Sequence, residues 1–199
     1  NGNANDESGN GNNGTVNGSI PDTDRFGNVN SSYSFDGVDD YISLPFGSNI
    51  QGNNARSINV WYSITDNTPY THTLYKGGTN GSSNDFSLWL TVTPLNEFNF
   101  HLRGFANDVI SINLPFTPNE WHMYTVTFDG STSSNVKLFL DGNELTYSVL
   151  GNGIPLNTQP TTPEFGHLID QLSVHHYFKG TLDDIVIYNR DLSNPEIQS

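Results

Sequence analysis

Asp183 and Asp184 stand side by side in the run Phe178-Lys179-Gly180-Thr181-Leu182-Asp183-Asp184-Ile185-Val186-Ile187-Tyr188. Ile185 to Tyr188 are β-branched or aromatic, as in a closing strand buried on both faces. Adjacent carboxylates at the entrance of such a strand repel each other and lose solvation, so a positive or hydrogen-bonding partner must offset them. The chain has 7 Lys plus Arg against 21 Asp plus Glu, which makes a metal ion a serious candidate for that partner. At the other end, residues 1–18 read NGNANDESGNGNNGTVNG. Such low complexity suits a flexible linker. Its carboxylates, amide oxygens and glycine-exposed carbonyls are also the donors that wrap a hard cation, and a wrapped loop is the preferred reading.

A second group of residues with chemistry to offer lies on the polar faces of three strands. In Ser57 to Ile64, the residues Ile58, Val60, Tyr62 and Ile64 share one face and leave Asn59, Trp61 and Ser63 on the other. In Phe86 to Val92 the outer set is Ser87, Trp89 and Thr91, and in Glu97 to Arg103 it is Asn99, His101 and Arg103. An ordinary solvated face has no reason to carry tryptophan. If the three strands are neighbours on one sheet, Trp61, Trp89, His101 and Arg103 form a flat patch with Asn59, Ser87 and Asn99 between them. A sugar site is built in that way: the CH face of a pyranose stacks on a ring while amides and a guanidinium bond its hydroxyls. The competing reading packs Trp61 or Trp89 under a loop or between the sheets, and Trp121 reads as core. Tyr70, His72, Tyr147, His176 and Tyr177 are rim candidates, because loops around a sheet can carry the site instead.

Other motifs read more plainly. Imidazoles favour zinc and copper, but the adjacent His175 and His176 point to opposite faces of a strand and cannot jointly chelate without a bulge; a loop or rim role is assigned to them. Asp36, Asp39 and Asp40 surround Gly37 and suit a turn closed by side-chain to backbone bonds. The sequence has no cysteine and no Gly-x-Ser-x-Gly, so nucleophile motifs are missing.

The elements that must position these residues are short, punctuated runs: Tyr33 to Phe35, Tyr41 to Leu44, Ser57 to Ile64, Thr71 to Lys76, Phe86 to Val92, Glu97 to Arg103, Val109 to Asn113, Trp121 to Phe128, Asn135 to Leu140, Leu145 to Val149, Pro163 to Leu168 and Leu182 to Tyr188. That spacing is all-β. One helical turn is expected near Ser193 to Gln198, with Ser193 as cap and Pro195 and Glu196 in the first turn. A length of 199 residues at 34% apolar content fits one sandwich domain that needs no disulfide. A net charge of −14 argues against nucleic acid and anionic membranes, since phosphates require clustered cations. It suits an exported protein with a neutral partner such as a sugar.

Asp6-x-Ser8-Gly9-Asn10-Gly11, Tyr33-Ser34-Phe35-Asp36-Gly37-Val38-Asp39-Asp40-Tyr41-Ile42, Glu120-Trp121-His122, Leu138-Phe139-Leu140-Asp141-Gly142 and the stretch from Gly180 to Ser193 together resemble the laminin G-like, concanavalin A-like jelly rolls of bacterial secreted proteins. The resemblance covers nearly the whole chain. It implies a two-sheet antiparallel β-sandwich as a single domain over residues 1–199, excised from a larger protein, with an apolar strand upstream of Asn1. It also implies a structural calcium where the N-terminal loop meets the last strand, with Asp183 the best carboxylate ligand, Asp184 a weaker one, Asp6 and Asn10 as side-chain or backbone candidates, and carbonyls of the Gly/Asn run completing the shell. The sugar-cleaving relatives carry a Glu-x-Asp-x-Glu strand that does not occur here. The expectation is therefore a non-catalytic carbohydrate-binding module for a neutral polysaccharide, attached to a secreted polysaccharide-degrading enzyme or surface lectin. A structural or adhesive spacer is the alternative, and a lyase or hydrolase, kept open by His101 with Arg103, the minor one.

Overall fold

The computed structural model of the chain describes residues 2–65, 70–79, 84–93, 97–103, 109–111, 114–115, 117–132, 135–149, 156–170 and 172–198. Alternation decides the architecture. Ile58, Val60, Tyr62 and Ile64 are each 1% exposed, and Leu88, Leu90 and Val92 are equally buried, so each strand turns its apolar parity inward. Two sheets with one apolar face each must close on one another, and each large side chain so buried contributes about 1.5 to 3 kcal/mol.

One sheet has seven strands in the spatial order β13 (Asn143–Glu144), β12 (Lys137–Leu140), β11 (Trp121–Phe128), β5 (Arg56–Ser63), β18 (Lys179–Tyr188), β3 (Ser32–Asp36) and β2 (Ile20–Asp22). The other has nine: β1 (Thr15–Asn17), β4 (Tyr41–Ser43), β15 (Glu164–Phe165), β6 (Tyr70–Lys76), β7 (Ser87–Val92), β8 (Glu97–Arg103), β9 (Val109–Ser111) and β14 (Tyr147–Val149), with β10 (Leu114–Pro115) also on β8. A separate hairpin pairs β16 (His167–Ile169) with β17 (His175–Tyr177). The recorded pairings within each sheet are antiparallel. Among the described residues one helix, α1 (Asn194–Ile197), follows Ser193, whose N–H and hydroxyl both donate to Glu196.

Two details explain how the sheets meet. Arg56 is buried, yet its guanidinium donates to the carbonyls of Ile50, Gly52 and Asn54 and to the Thr158 hydroxyl, and it lies over the Phe86 ring. Desolvation pushes its pKa down to about 10, so it stays charged and ties the loop before β5 to residue 158. Gly180 has φ 146° and leaves no room for a side chain, since a Cβ would fall 2.2 Å from the Ser63 carbonyl oxygen.

The last strand corrects the sequence reading. It is not buried on both faces beyond Asp183: Asp184 and Val186 are exposed, while Ile185 and Ile187 only lean on the core. The cause is a register break against β5 between Asp183 and Val186, with Asp184 at φ 39°. Trp121 is likewise half-buried rather than core.

Candidate functional site

The outer face of the nine-stranded sheet is built around one cross-strand pair. Trp89 on β7 stands opposite His101 on β8, and their rings stack with centroids 5.3 Å apart and planes 8° from parallel. The Thr91 hydroxyl lies 3.4 Å from His101 Nε2, while the buried Nδ1 has no hydrogen-bond partner among the described residues. Burial pushes the imidazole down to about 4, so the ring is neutral at ordinary pH and packs as an uncharged ring against the indole.

The β16–β17 hairpin forms the wall of this platform. The Thr73 hydroxyl on β6 donates to the His176 carbonyl at 2.9 Å, and the hairpin's inner side chains, Leu168 and His176, face Trp89. Together with Thr71 and Asp170 they enclose a concavity of about 200 Å³. Asp170 Oδ1 accepts from the Leu172 and Val174 N–H groups, and Oδ2 lies 3.2 Å from His176 Nε2. The Val174 amide and the His176 ring hold this carboxyl below its usual range, so it is an ionised acceptor. A ring face beside a carboxylate, an imidazole and a threonine hydroxyl can stack on a sugar and bond its hydroxyls.

The expected patch is thus divided. Asn99, half-buried, faces Thr91, and Arg103 faces Ser87 in the β7–β8 register, so both belong to the Trp89 sheet. The side chains of Arg103, Tyr70 and Tyr147 lie outside the described part of the structure. Trp61 and Asn59 do not join this face: β5 is in the seven-stranded sheet, and strand parity turns them out on the far side of the sandwich. Asn59 Oδ1 accepts from Thr125, and Trp61 carries the Arg25 guanidinium 4.4 Å above its ring. His72 is 1% exposed and accepts at Nδ1 from the Lys179 N–H, a core position created by its parity on β6. Of the rim candidates His176 reaches the concavity, whereas Tyr177 lies on the hairpin's other face. Sequence reasoning missed Thr71, Leu168 and Asp170, because nothing in their local pattern tells that the hairpin folds back over β6.

The acidic pair has found its partner in an arginine. Arg25 donates from NH1 to Asp183 Oδ2 at 2.8 Å and from NH2 to Asp184 Oδ2 at 2.7 Å. Burial and the neighbouring Asp184 still raise the Asp183 carboxyl above its usual range, against the Asp184 N–H and Arg25, which lower it. Asp6, Asn10, Asp183 and Asp184 do line one groove of about 660 Å³. Yet both Asp6 oxygens accept from the N–H groups of Ser8 and Asn12, and the Asn10 amide donates to Ser8. Arg25 thus meets Asp183 and Asp184, while the Asn10 amide oxygen takes no part in its bond to Ser8. The acidic cluster among the described residues is Asp36, Asp39 and Asp40, with ligand atoms within 4.8 Å of one another. Asp36 accepts from the Val38 N–H and Asp40 from the Asp36 N–H, around Gly37 at φ 83°, the turn chemistry expected of them.

Residues 36–198 match the family profile described as the concanavalin A-like lectin/glucanases superfamily. The chain belongs to that superfamily, in its laminin G-like branch. A comparison with curated protein sequences found no match. Among solved structures, domain 4 of a GH43 extracellular arabinanase from Geobacillus stearothermophilus, in complex with arabinotriose, is 16% identical with a TM-score of 0.67, over 98% of this chain and 91% of that one. The botulinum neurotoxin serotype D binding domain is 17% identical with a TM-score of 0.68, over 97% of this chain and 46% of that one. A mutant of Trypanosoma rangeli sialidase displaying trans-sialidase activity is 16% identical with a TM-score of 0.64, over 94% of this chain and 29% of that one. The chain thus spans less than half of the toxin and sialidase chains, and at these identities the likeness concerns the fold.

Proposed function

We propose that this domain is a non-catalytic carbohydrate-binding module that takes a neutral polysaccharide on the outer face of its nine-stranded sheet. The observation that carries the reading is the Trp89–His101 stack beside the concavity walled by Asp170 and His176. It offers a flat, uncharged ring surface with polar groups at its edge, the arrangement a pyranose or furanose needs. The arabinotriose in the complex of the arabinanase domain supports a glycan as ligand class. No described helix is long and apolar enough to cross a membrane, and a binding module of a secreted enzyme or surface lectin is the setting we propose.

Affinity electrophoresis in gels containing arabinan, xylan, laminarin or pectin tests the proposal. Retardation by at least one neutral polymer is expected, with Trp89→Ala removing most of it, since a single aromatic anchor commonly carries about 2 kcal/mol or more. Trp61→Ala should leave retardation intact, because that ring is on the opposite face. Migration unchanged by every polymer would favour a structural or adhesive spacer. A ligand that Trp89→Ala binds as tightly as the parent would move the site elsewhere.

A further inference from the structure

The face of the β16–β17 hairpin opposite Leu168 and His176, on which His167 is buried and His175 exposed, carries a constellation that glycan binding does not use. His167 and Tyr177 are directly opposed in register, and His175 sits two residues from Tyr177 on the same face. His167 stacks on Tyr177 with centroids 4.6 Å apart and on His175 at 5.1 Å. His167 Nε2 lies 3.0 Å from His175 Nδ1, and the Tyr177 hydroxyl lies 3.3 Å from that same Nδ1. On its other side, His167 Nδ1 is 2.8 Å from Glu164 Oε2, and Glu164 is 3.7 Å from Lys76 Nζ.

From these distances we propose a site for a divalent transition-metal ion, of the zinc and copper kind, held by His167 Nε2, His175 Nδ1 and the Tyr177 oxygen. Zinc binds imidazole nitrogen at about 2.0 to 2.1 Å, so two nitrogens on a tetrahedral ion lie about 3.3 Å apart. The observed 3.0 and 3.3 Å separations need only a slight opening to admit it. Glu164 supplies the second requirement. By accepting the Nδ1–H of His167 it fixes the tautomer in which Nε2 presents a lone pair toward His175, the outer-shell role a carboxylate plays behind a ligating histidine. His175 is exposed, so water can relay its single ring proton from Nδ1 to Nε2, which frees the Nδ1 lone pair for the ion. Nitrogen donors with one oxygen select transition metals over calcium or magnesium, which prefer all-oxygen shells. Water completes the coordination.

The neighbouring His175 and His176 divide their tasks because β17 turns them to opposite sides. His176 faces Trp89, and His175 finds its partner across the hairpin.

Isothermal titration of the untagged protein with zinc chloride tests the site, with calcium and magnesium chloride as comparisons. One zinc per chain is expected, and neither hard cation should compete. His175→Ala alters an exposed residue, so folding is not at stake, and should remove the binding. Glu164→Gln should weaken it about tenfold or more by releasing the tautomer. His122→Ala is the control, because His122 lies 2.8 Å from Asp141 and 3.8 Å from Glu120 and offers the rival nitrogen and carboxylate set. The proposal is overturned if the parent takes up no zinc, if His175→Ala binds it within tenfold of the parent, or if His122→Ala is the variant that loses it.

Discussion

At the scale of single residues, two side chains hold charge states that can be titrated. His101 is neutral in the fold because burial lowers its pKa to about 4, whereas in the unfolded chain it protonates near the ordinary value of about 6.5. The unfolded state therefore binds the extra proton between those values, and stability contributed by the neutral ring is full above about pH 6.5 and is lost as pH falls toward 4. After allowing for solvent that still reaches the ring, the loss is about 1 to 2 kcal/mol. His101→Phe keeps a ring against Trp89 and removes the proton site, so urea titrations at pH 7 and pH 4.5 should show a smaller acid loss in the variant; equal losses would count against a buried neutral His101. Asp183 has the opposite sign. Its carboxyl is raised in the fold, so the folded state favours the proton, and the cost of ionising it sets in as pH rises from the ordinary carboxylate range through the raised value. Arg25 limits that cost. Arg25→Ala should destabilise the protein by about 1 to 3 kcal/mol at pH 7, less than a fully buried pair because Asp184 is solvated, and the deficit should shrink near pH 4. Calcium at about 1 mM, the affinity range of extracellular modules, should raise the melting temperature of the variant more than that of the parent, because Asp183 and Asp184 are left without the guanidinium that pairs with them. Identical calcium responses would show that the groove's oxygens do not act together.

At the scale of elements, strand parity was legible while strand partnership was not. Ile58, Val60 and Tyr62 against Asn59 and Trp61, and Leu88 and Leu90 against Trp89, alternate as a half-buried strand must, and the structure turns each as the pattern requires. Period two tells which side of its own sheet a residue takes. It cannot tell which of two sheets the strand joins, and both sheets have an outer face. Hence Trp61 and Trp89 look equivalent in sequence and end on opposite sides. The hairpin was hidden for a related reason: Leu168, Asp170 and His176 become neighbours of Trp89 only through the fold-back over β6, a long-range event with no local signal. Gly180, inside β18, sits in a tight place that only the structure shows. Gly180→Ala should cost about 3 kcal/mol or more, as a Cβ would fall 2.2 Å from the Ser63 carbonyl oxygen and neither backbone can yield without breaking the β18–β5 pairing. Gly27→Ala should cost only about 1 kcal/mol, because Gly27 has φ 85° but nothing within 4 Å and pays only for the left-handed backbone. Chemical denaturation of the two variants separates steric exclusion from dihedral preference.

At the scale of the whole molecule, charge bears on which class of glycan the proposed site would take. The net charge is −14 at pH 7, and the concavity beside Trp89 adds its own negative group in Asp170, whose carboxyl is held ionised by the Val174 amide and the His176 ring. A polyanionic chain approaching this face meets repulsion from the molecule at large and from the site itself. A neutral chain meets neither, and its affinity comes from ring stacking and short hydrogen bonds that mobile ions do not reach. Screening distinguishes these cases, because the Debye length falls from about 30 Å at 0.01 M salt to about 3 Å at 1 M. Retardation by a neutral polysaccharide should therefore be nearly constant across that range. A polygalacturonate or alginate gel should give none at low salt, with any interaction emerging only as salt rises, the reverse of the loss that cation-mediated binding shows. If an acidic polysaccharide binds most tightly at low salt, a local cationic surface must outweigh both the net charge and Asp170. The neutral-glycan reading would then give way to one centred on Arg103 at the far end of the β7–β8 pair.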